Sequence, residues 1–174
     1  VIDSWLYPAT APYKTDYLNV NGHQIYFELS GNPDGPTALF LHGGPGGGTS
    51  ARERRFFNPE HYRVVLMDQR GSGKSIPNAC NDYEAALFNN STQYLIEDIE
   101  QLREELSLDH WQLILGGSWG TTLAIAYAEQ HPDKCKQLLL RGIFTALPDE
   151  IDALFQNGTT ADHYPQEWEN YTSY

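Results

Sequence analysis

Gly116-Gly117-Ser118-Trp119-Gly120 sets a hydroxyl nucleophile among glycines, directly behind the apolar run Trp111-Gln112-Leu113-Ile114-Leu115. A strand ending in a serine on a sharp turn forms a nucleophile elbow. The turn strains the serine backbone, and a Cβ beside it would collide with the strand or with the helix that follows. Behind the turn, Thr121-Thr122-Leu123-Ala124-Ile125-Ala126-Tyr127-Ala128 is rich in small residues, which suits a helix packed closely on a sheet. A five-residue glycine-serine pattern alone describes many ordinary turns. Strand before, helix after, and a second glycine motif upstream make it specific.

That second motif is His42-Gly43-Gly44-Pro45-Gly46-Gly47-Gly48, which follows the short apolar strand Ala38-Leu39-Phe40-Leu41. So many glycines leave backbone amides uncovered. Acyl transfer needs two such N–H groups aimed at the oxygen that becomes negative, and losing one typically slows the reaction about a hundredfold or more. Gly44 and Trp119, the residue after the serine, are the expected donors. A plain glycine-rich connection or a phosphate cradle would share this composition, and the pairing with the elbow favours the oxyanion hole.

A third motif, Asp68-Gln69-Arg70-Gly71-Ser72-Gly73-Lys74-Ser75, follows the strand Tyr62-Arg63-Val64-Val65-Leu66-Met67. Its Gly73-Lys74-Ser75 end imitates a phosphate-binding loop. Such a loop requires glycine where Asp68 stands, and Ile76-Pro77-Asn78 does not open a helix, so nucleotide binding is the minor alternative. Asp68 and Arg70 are expected to form a buried ion pair that fixes this turn beside the other two loops.

The elements that must position these residues are legible as alternating patterns. An antiparallel hairpin is expected at 17–20 and 24–29, then strands at 38–41, 63–67, 111–115 and 136–141. A short helix is expected at 52–57. A longer one at 92–106 carries Leu95, Ile96, Ile99, Leu102 and Leu106 at helical spacing. Helix and strand in alternation imply an α/β protein with a mostly parallel sheet covered on both faces.

With these residues in view, the chain resembles the proline iminopeptidase (prolyl aminopeptidase) family, serine peptidases of the α/β-hydrolase fold. The resemblance runs from Leu6-Tyr7-Pro8 through Gly22-His23-Gln24-Ile25-Tyr26-Phe27-Glu28, the three motifs above and Asp98-Ile99-Glu100-Gln101-Leu102-Arg103, to Leu140-Arg141-Gly142-Ile143-Phe144. The triple-glycine loop and the tryptophan after the serine are more specific than the general hydrolase pattern. The resemblance implies that Ser118 is the nucleophile and that Gly44 and Trp119 are oxyanion donors. His42, Gly43, Asp68, Arg70, Gly116, Gly117 and Gly120 shape the site. It implies no metal and no cofactor, and a peptide substrate with N-terminal proline. Residues 1–145 correspond to the first part of the hydrolase core and 146–174 to the start of a helical cap.

The fold's triad runs serine, acid, histidine along the chain. After Ser118 there are only His131 and His163. His131 precedes Pro132 at the expected end of the post-elbow helix, where its imidazole would cap the last carbonyls. His163 lies in the cap segment, and Asp149 and Glu150 begin that segment. None matches the family's triad positions, and single α/β domains of this type usually exceed about 200 residues. The chain is therefore expected to be partial, ending after about the sixth of eight strands, with the acid and histidine on a missing C-terminal half. The last strand would be an uncapped edge.

Composition bounds the partners. With 23 acidic against 11 basic residues and a formal charge of −12, the surface should repel nucleic acid and anionic lipid while tolerating a cationic amine. No apolar run reaches membrane-spanning length. Cys80 and Cys135 lack metal-ligand spacing and read as free thiols of a cytoplasmic protein. Asn89, Asn90, Asn157 and Asn170 stand in glycosylation-type triplets, and a segment removed before Val1 is compatible with the start of the chain. Trp119 is the one aromatic whose position argues for function, its ring expected near bound substrate. Two further functions share these features: a hydrolase of another amide or an ester, and a non-catalytic binding protein of the same fold.

Overall fold

A computed structural model describes residues 5–156 and 158–173, so Val1, Asn157 and Tyr174 lie outside the described residues. Six strands form one sheet: β1 (Lys14–Val20), β2 (His23–Gly31), β3 (Thr37–Leu41), β4 (Arg63–Met67), β5 (Leu113–Gly117) and β6 (Leu138–Arg141). Their order is β1-β2-β4-β3-β5-β6. β1, β2 and β4 pair antiparallel, whereas β4, β3, β5 and β6 run parallel. This is the expected mixed sheet with an antiparallel opening hairpin.

Period-two alternation divides the strands between two cores. Leu39, Leu41, Val65, Met67 and Ile114 face one way and meet Leu95, Ile96, Ile99 and Leu102 of α2 (Thr92–Glu105) and Leu123, Ala124 and Tyr127 of α3 (Trp119–Gln130). Ala38, Phe40, Val64, Leu66, Leu113 and Leu115 face the other way, against Phe57 and Tyr62. All five residues of β3 are buried because both faces of this central strand are covered.

Several expected boundaries move. β5 starts two residues later and runs through both glycines to the edge of Ser118, while Trp111 stays fully buried in an isolated bridge to Cys135. The segment expected as a short helix is a 3₁₀ turn at Glu53–Phe56. A further helix, α1 (Tyr83–Leu87), was not anticipated. Its signal was Asp82, whose side chain accepts the Ala85 N–H and caps the first turn.

β6 lies at the sheet edge, with Leu138 and Leu139 exposed at 38% and 48%. The chain divides into two compact units, the second beginning at Phe144. That second unit holds α4 (Pro148–Phe155), α5 (Thr159–His163) and α6 (Pro165–Thr172), with proline in the first turn of α4 and of α6. Glu150 accepts from the Thr145 amide and hydroxyl and from the Leu147 amide, and these hydrogen bonds hold its carboxyl below the ordinary carboxylate range.

The expected Asp68–Arg70 pair does not form. Arg70 turns to α2 and makes a bidentate bridge to Asp98, Nε to Oδ2 and Nη2 to Oδ1 both at 2.6 Å, with both side chains essentially unexposed. Its Nη1 donates to the Asn89 carbonyl, and the guanidinium lies over the Tyr94 ring. Asp68 is satisfied by other donors: the Thr49 amide at 2.6 Å, the Thr49 hydroxyl at 2.7 Å and the Lys74 amide at 2.8 Å. Two residues apart on a turn, Asp68 and Arg70 point in different directions, and each finds a partner in another element. Removing one member of a fully buried pair strands the other charge. Asp98→Ala should therefore destabilise the fold by about 3–5 kcal/mol, read as a lowered urea midpoint, and Arg70→Met/Asp98→Leu should cost clearly less than the sum of the two single changes.

Candidate active site

Ser118 occupies the single residue between β5 and α3. Its backbone has φ 53° and ψ −121°, a left-handed conformation uncommon for a side chain with Cβ. Both of its backbone groups are engaged. The Ser118 amide donates to the Arg141 carbonyl at 3.0 Å, and its carbonyl accepts from the Thr121 amide at 2.8 Å and the Thr121 hydroxyl at 2.7 Å. The serine is exposed. Among the described residues no side chain hydrogen-bonds its hydroxyl.

The glycines around it permit approaches that no other residue allows. A Cβ on Gly120 would lie 2.1 Å from the Leu41 carbonyl oxygen, and one on Gly116 would lie 2.3 Å from the Gly120 carbonyl oxygen. The first turn of α3 is thus pressed onto the end of β3. On the facing loop, a Cβ on Gly43 would lie 2.8 Å from the Gly117 carbonyl oxygen and 3.1 Å from the Ser118 Cβ. The His42–Gly48 loop and the serine turn therefore meet backbone to backbone. Gly44, with φ +120°, is exposed, and neither its amide nor that of Trp119 has a hydrogen-bond partner among the described residues.

Residues of the 68–75 turn hold both walls. Gln69 donates through Nε2 to the His42 carbonyl at 2.9 Å and accepts through Oε1 from the Trp119 indole N–H at 3.0 Å. Its backbone amide reaches His42 Nε2 at 3.0 Å. Burial of the His42 ring lowers its pKa below the ordinary value of 6.5, and the hydrogen bond to the Gly43 backbone, with the carboxylates of Asp68 and Glu53, only partly opposes this. Ser75, the residue that would have ended a phosphate loop, spends its hydroxyl on the Asp68 carbonyl and the Tyr26 amide. A cavity of about 430 Å³ opens beside Ser118, lined also by Gly43, Arg52, Glu53, Leu139 and Arg141. A second, of about 480 Å³, lies between Trp119, Pro45, Gln69, Arg70 and Leu95.

The two later histidines are each engaged within their own element. His131 terminates α3, but its ring packs against Tyr127 at 5.1 Å, and its backbone amide, not the imidazole, reaches the Tyr127 carbonyl. His163, in the second unit, bonds through Nδ1 to the Thr159 carbonyl of its own helix. Sequence reasoning assigned no role to Gln69, Thr49 or Asp98, although Gln69 and Asp98 stand within the motifs it singled out. Asp98 left a trace as a charged residue on the apolar stripe of α2, whereas the neutral amide of Gln69 left none. Among the described residues no group of three or more histidine, cysteine or acidic side chains could hold a metal ion, and no helix is long and apolar enough to cross a membrane.

An exposed serine between strand and helix, facing a glycine loop on a sheet of this order, is the arrangement of one fold class, and the family model of the alpha/beta hydrolase fold matches residues 36–173. The chain belongs to the α/β-hydrolase fold family. Within that family it is similar to proline iminopeptidases: 52% identical over 167 residues to one from Arabidopsis thaliana, covering 95% of this chain and 42% of that protein. It is 46% identical to one from Neisseria gonorrhoeae, covering 97% of this chain and 52% of that protein. Among solved structures, a proline iminopeptidase-related protein from Thermus thermophilus superposes with a TM-score of 0.61 at 30% identity, over 73% of this chain and 43% of that one. The chain thus spans about half the length of the curated relatives it matches.

The close approach at Gly120 gives a direct test. Gly120→Ala places a methyl group inside the carbonyl of Leu41, so α3 must shift. We expect a stability loss of about 1–3 kcal/mol in urea unfolding, with Ser118 displaced from its φ near 53° in a crystal structure of the variant.

Proposed function

We propose that this chain carries the nucleophile and oxyanion donors of a serine aminopeptidase that releases N-terminal proline from peptides. The observation that supports it most is the strained, exposed Ser118 set against the uncovered amides of the glycine loop. In the proposed reaction, Ser118 Oγ attacks the carbonyl carbon of the N-terminal proline while a general base takes the hydroxyl proton. The carbonyl oxygen becomes an oxyanion held by the Gly44 and Trp119 amides. Collapse expels the rest of the peptide as an amine, which receives the proton. Water then attacks the acyl-enzyme, proline leaves, and the proton returns to Ser118.

The substrate assignment rests on the proline iminopeptidases to which the chain is similar over nearly its full length. A positively charged imino group is compatible with the formal charge of −12. The second unit, from Phe144, is proposed as the start of a helical cap domain, and the free thiols of Cys80 and Cys135 suit a reducing, cytoplasmic setting.

Two measurements test this. The protein that contains this chain should release proline from a chromogenic prolyl amide much faster than it cleaves the N-acylated analogue, and Ser118→Ala should lower kcat on the order of a millionfold. Equal rates on the two compounds, or a preference for simple esters, would move the assignment to another hydrolase. A polypeptide of these 174 residues alone should react only slowly with a fluorophosphonate, because among the described residues no side chain hydrogen-bonds the hydroxyl of Ser118 to take its proton. Rapid stoichiometric labelling abolished by His163→Ala would make His163 that base.

A further inference from the structure

His42 is buried beneath the glycine loop, at 3% exposure, and its ring is engaged on both sides. Nε2 lies 3.0 Å from the backbone nitrogen of Gln69. A backbone N–H can only donate, so Nε2 carries no proton. The nearby Ser72 hydroxyl, 3.2 Å from Nε2, sends its own proton to the Gln69 carbonyl at 2.7 Å. A neutral imidazole has one N–H, which must then sit on Nδ1, 2.9 Å from the Gly43 carbonyl oxygen. Gly48 N–H also approaches Nδ1, at 3.2 Å. A protonated Nδ1 has no lone pair to offer it, but the two shorter contacts, Gln69 N–H on Nε2 at 3.0 Å and the Gly43 carbonyl oxygen on Nδ1 at 2.9 Å, are both satisfied only by the Nδ1-protonated ring.

The Gly43 carbonyl accepts a second hydrogen bond, from the Gly47 amide at 3.1 Å. Two donors therefore pin one peptide oxygen. The Gly43–Gly44 peptide is trans, and in a trans peptide the C=O of one residue and the N–H of the next point in opposite directions. Fixing the carbonyl toward His42 and Gly47 turns the Gly44 N–H the other way. A flipped peptide would replace a donor with an acceptor beside Ser118, whose Cβ lies against Gly43.

We propose that His42 is a positioning residue: in its Nδ1-protonated neutral form, fixed by the Gln69 amide, it locks the Gly43–Gly44 peptide so that the Gly44 N–H is presented as an oxyanion donor. This rests on Ser118 acting as an acyl-transfer nucleophile. The role is distinct from that of a buried histidine that merely fills space, because it depends on which nitrogen holds the proton.

The first test needs no substitution and no activity. Long-range ¹H–¹⁵N spectra of the His42 ring in the protein at neutral pH should show a protonated Nδ1 and a bare Nε2. An Nε2-protonated ring, or a cationic one, overturns the proposal. The second test is kinetic. His42→Gln can keep an acceptor for Gln69 but loses the donor to Gly43, so kcat on the prolyl amide should fall by about a hundredfold or more while KM stays within about threefold. His42→Asn, whose amide nitrogen takes the place of Nδ1, should recover most of that loss. A kcat for His42→Gln within about threefold of the unaltered protein, or a His42→Asn variant as impaired as His42→Gln, would overturn the role. Activity that survives Ser118→Ala would sink the proposed function instead, and the ring spectra would still decide the tautomer.

Discussion

The contact between the first turn of α3 and the end of β3 governs the geometry of everything around it. At Gly120 the helix backbone comes so near the Leu41 carbonyl that no side chain fits between them, and Gly116 is equally close to the carbonyl of Gly120. That proximity leaves no room for Ser118 to relax into an ordinary conformation. A non-glycine residue in such a region costs on the order of 1–3 kcal/mol, which persists only because the surroundings over-determine it. Here the surroundings are three hydrogen bonds at the serine's own backbone and a helix seated on the sheet through Leu123, Ala124 and Tyr127. The strain is what lifts the hydroxyl out of the strand and into the open.

A second set of constraints radiates from three consecutive residues after β4. Asp68 gathers donors from Thr49 and Lys74, closing the far end of the glycine loop. Gln69 bonds His42 on one side and the Trp119 indole on the other, so it spans the two walls of the site. Arg70 grips Asp98 and ties the turn to α2. Neighbouring side chains leave an irregular turn in different directions, so a tripeptide can hold three elements at once. Each of these polar groups is buried and each is satisfied, as an interior charge or amide must be.

Local signals carried much of this molecule. Short apolar runs located all six strands to within a few residues, helical spacing located α2, and the glycine pattern located the serine turn, because each depends on interactions between near neighbours in the chain. The order of the sheet, with β4 inserted between β2 and β3, depends on crossovers that no local pattern encodes. The partner of Arg70 was missed for the same reason: Asp98 lies 28 residues away, and proximity in sequence favoured Asp68. His131 illustrates a subtler failure. Its place at the helix end was legible, but a flat ring beside Tyr127 stacks instead of capping, and that preference is set by packing. Within the candidate site, the serine and the loop were visible as motifs. The amide of Gln69 was not, since glutamine has no spacing signature.

β6 presents one side without a strand partner among the described residues, and Leu138 and Leu139 beside it are open to water. A row of free amides and carbonyls flanked by apolar side chains is a template for another strand of any origin. Against this stands the formal charge of −12, which keeps like molecules apart so long as the field reaches between them. Salt shortens that reach to about 8 Å at physiological ionic strength. In a polypeptide of these 174 residues, dissolved ions therefore weaken the repulsion that opposes pairing at this edge.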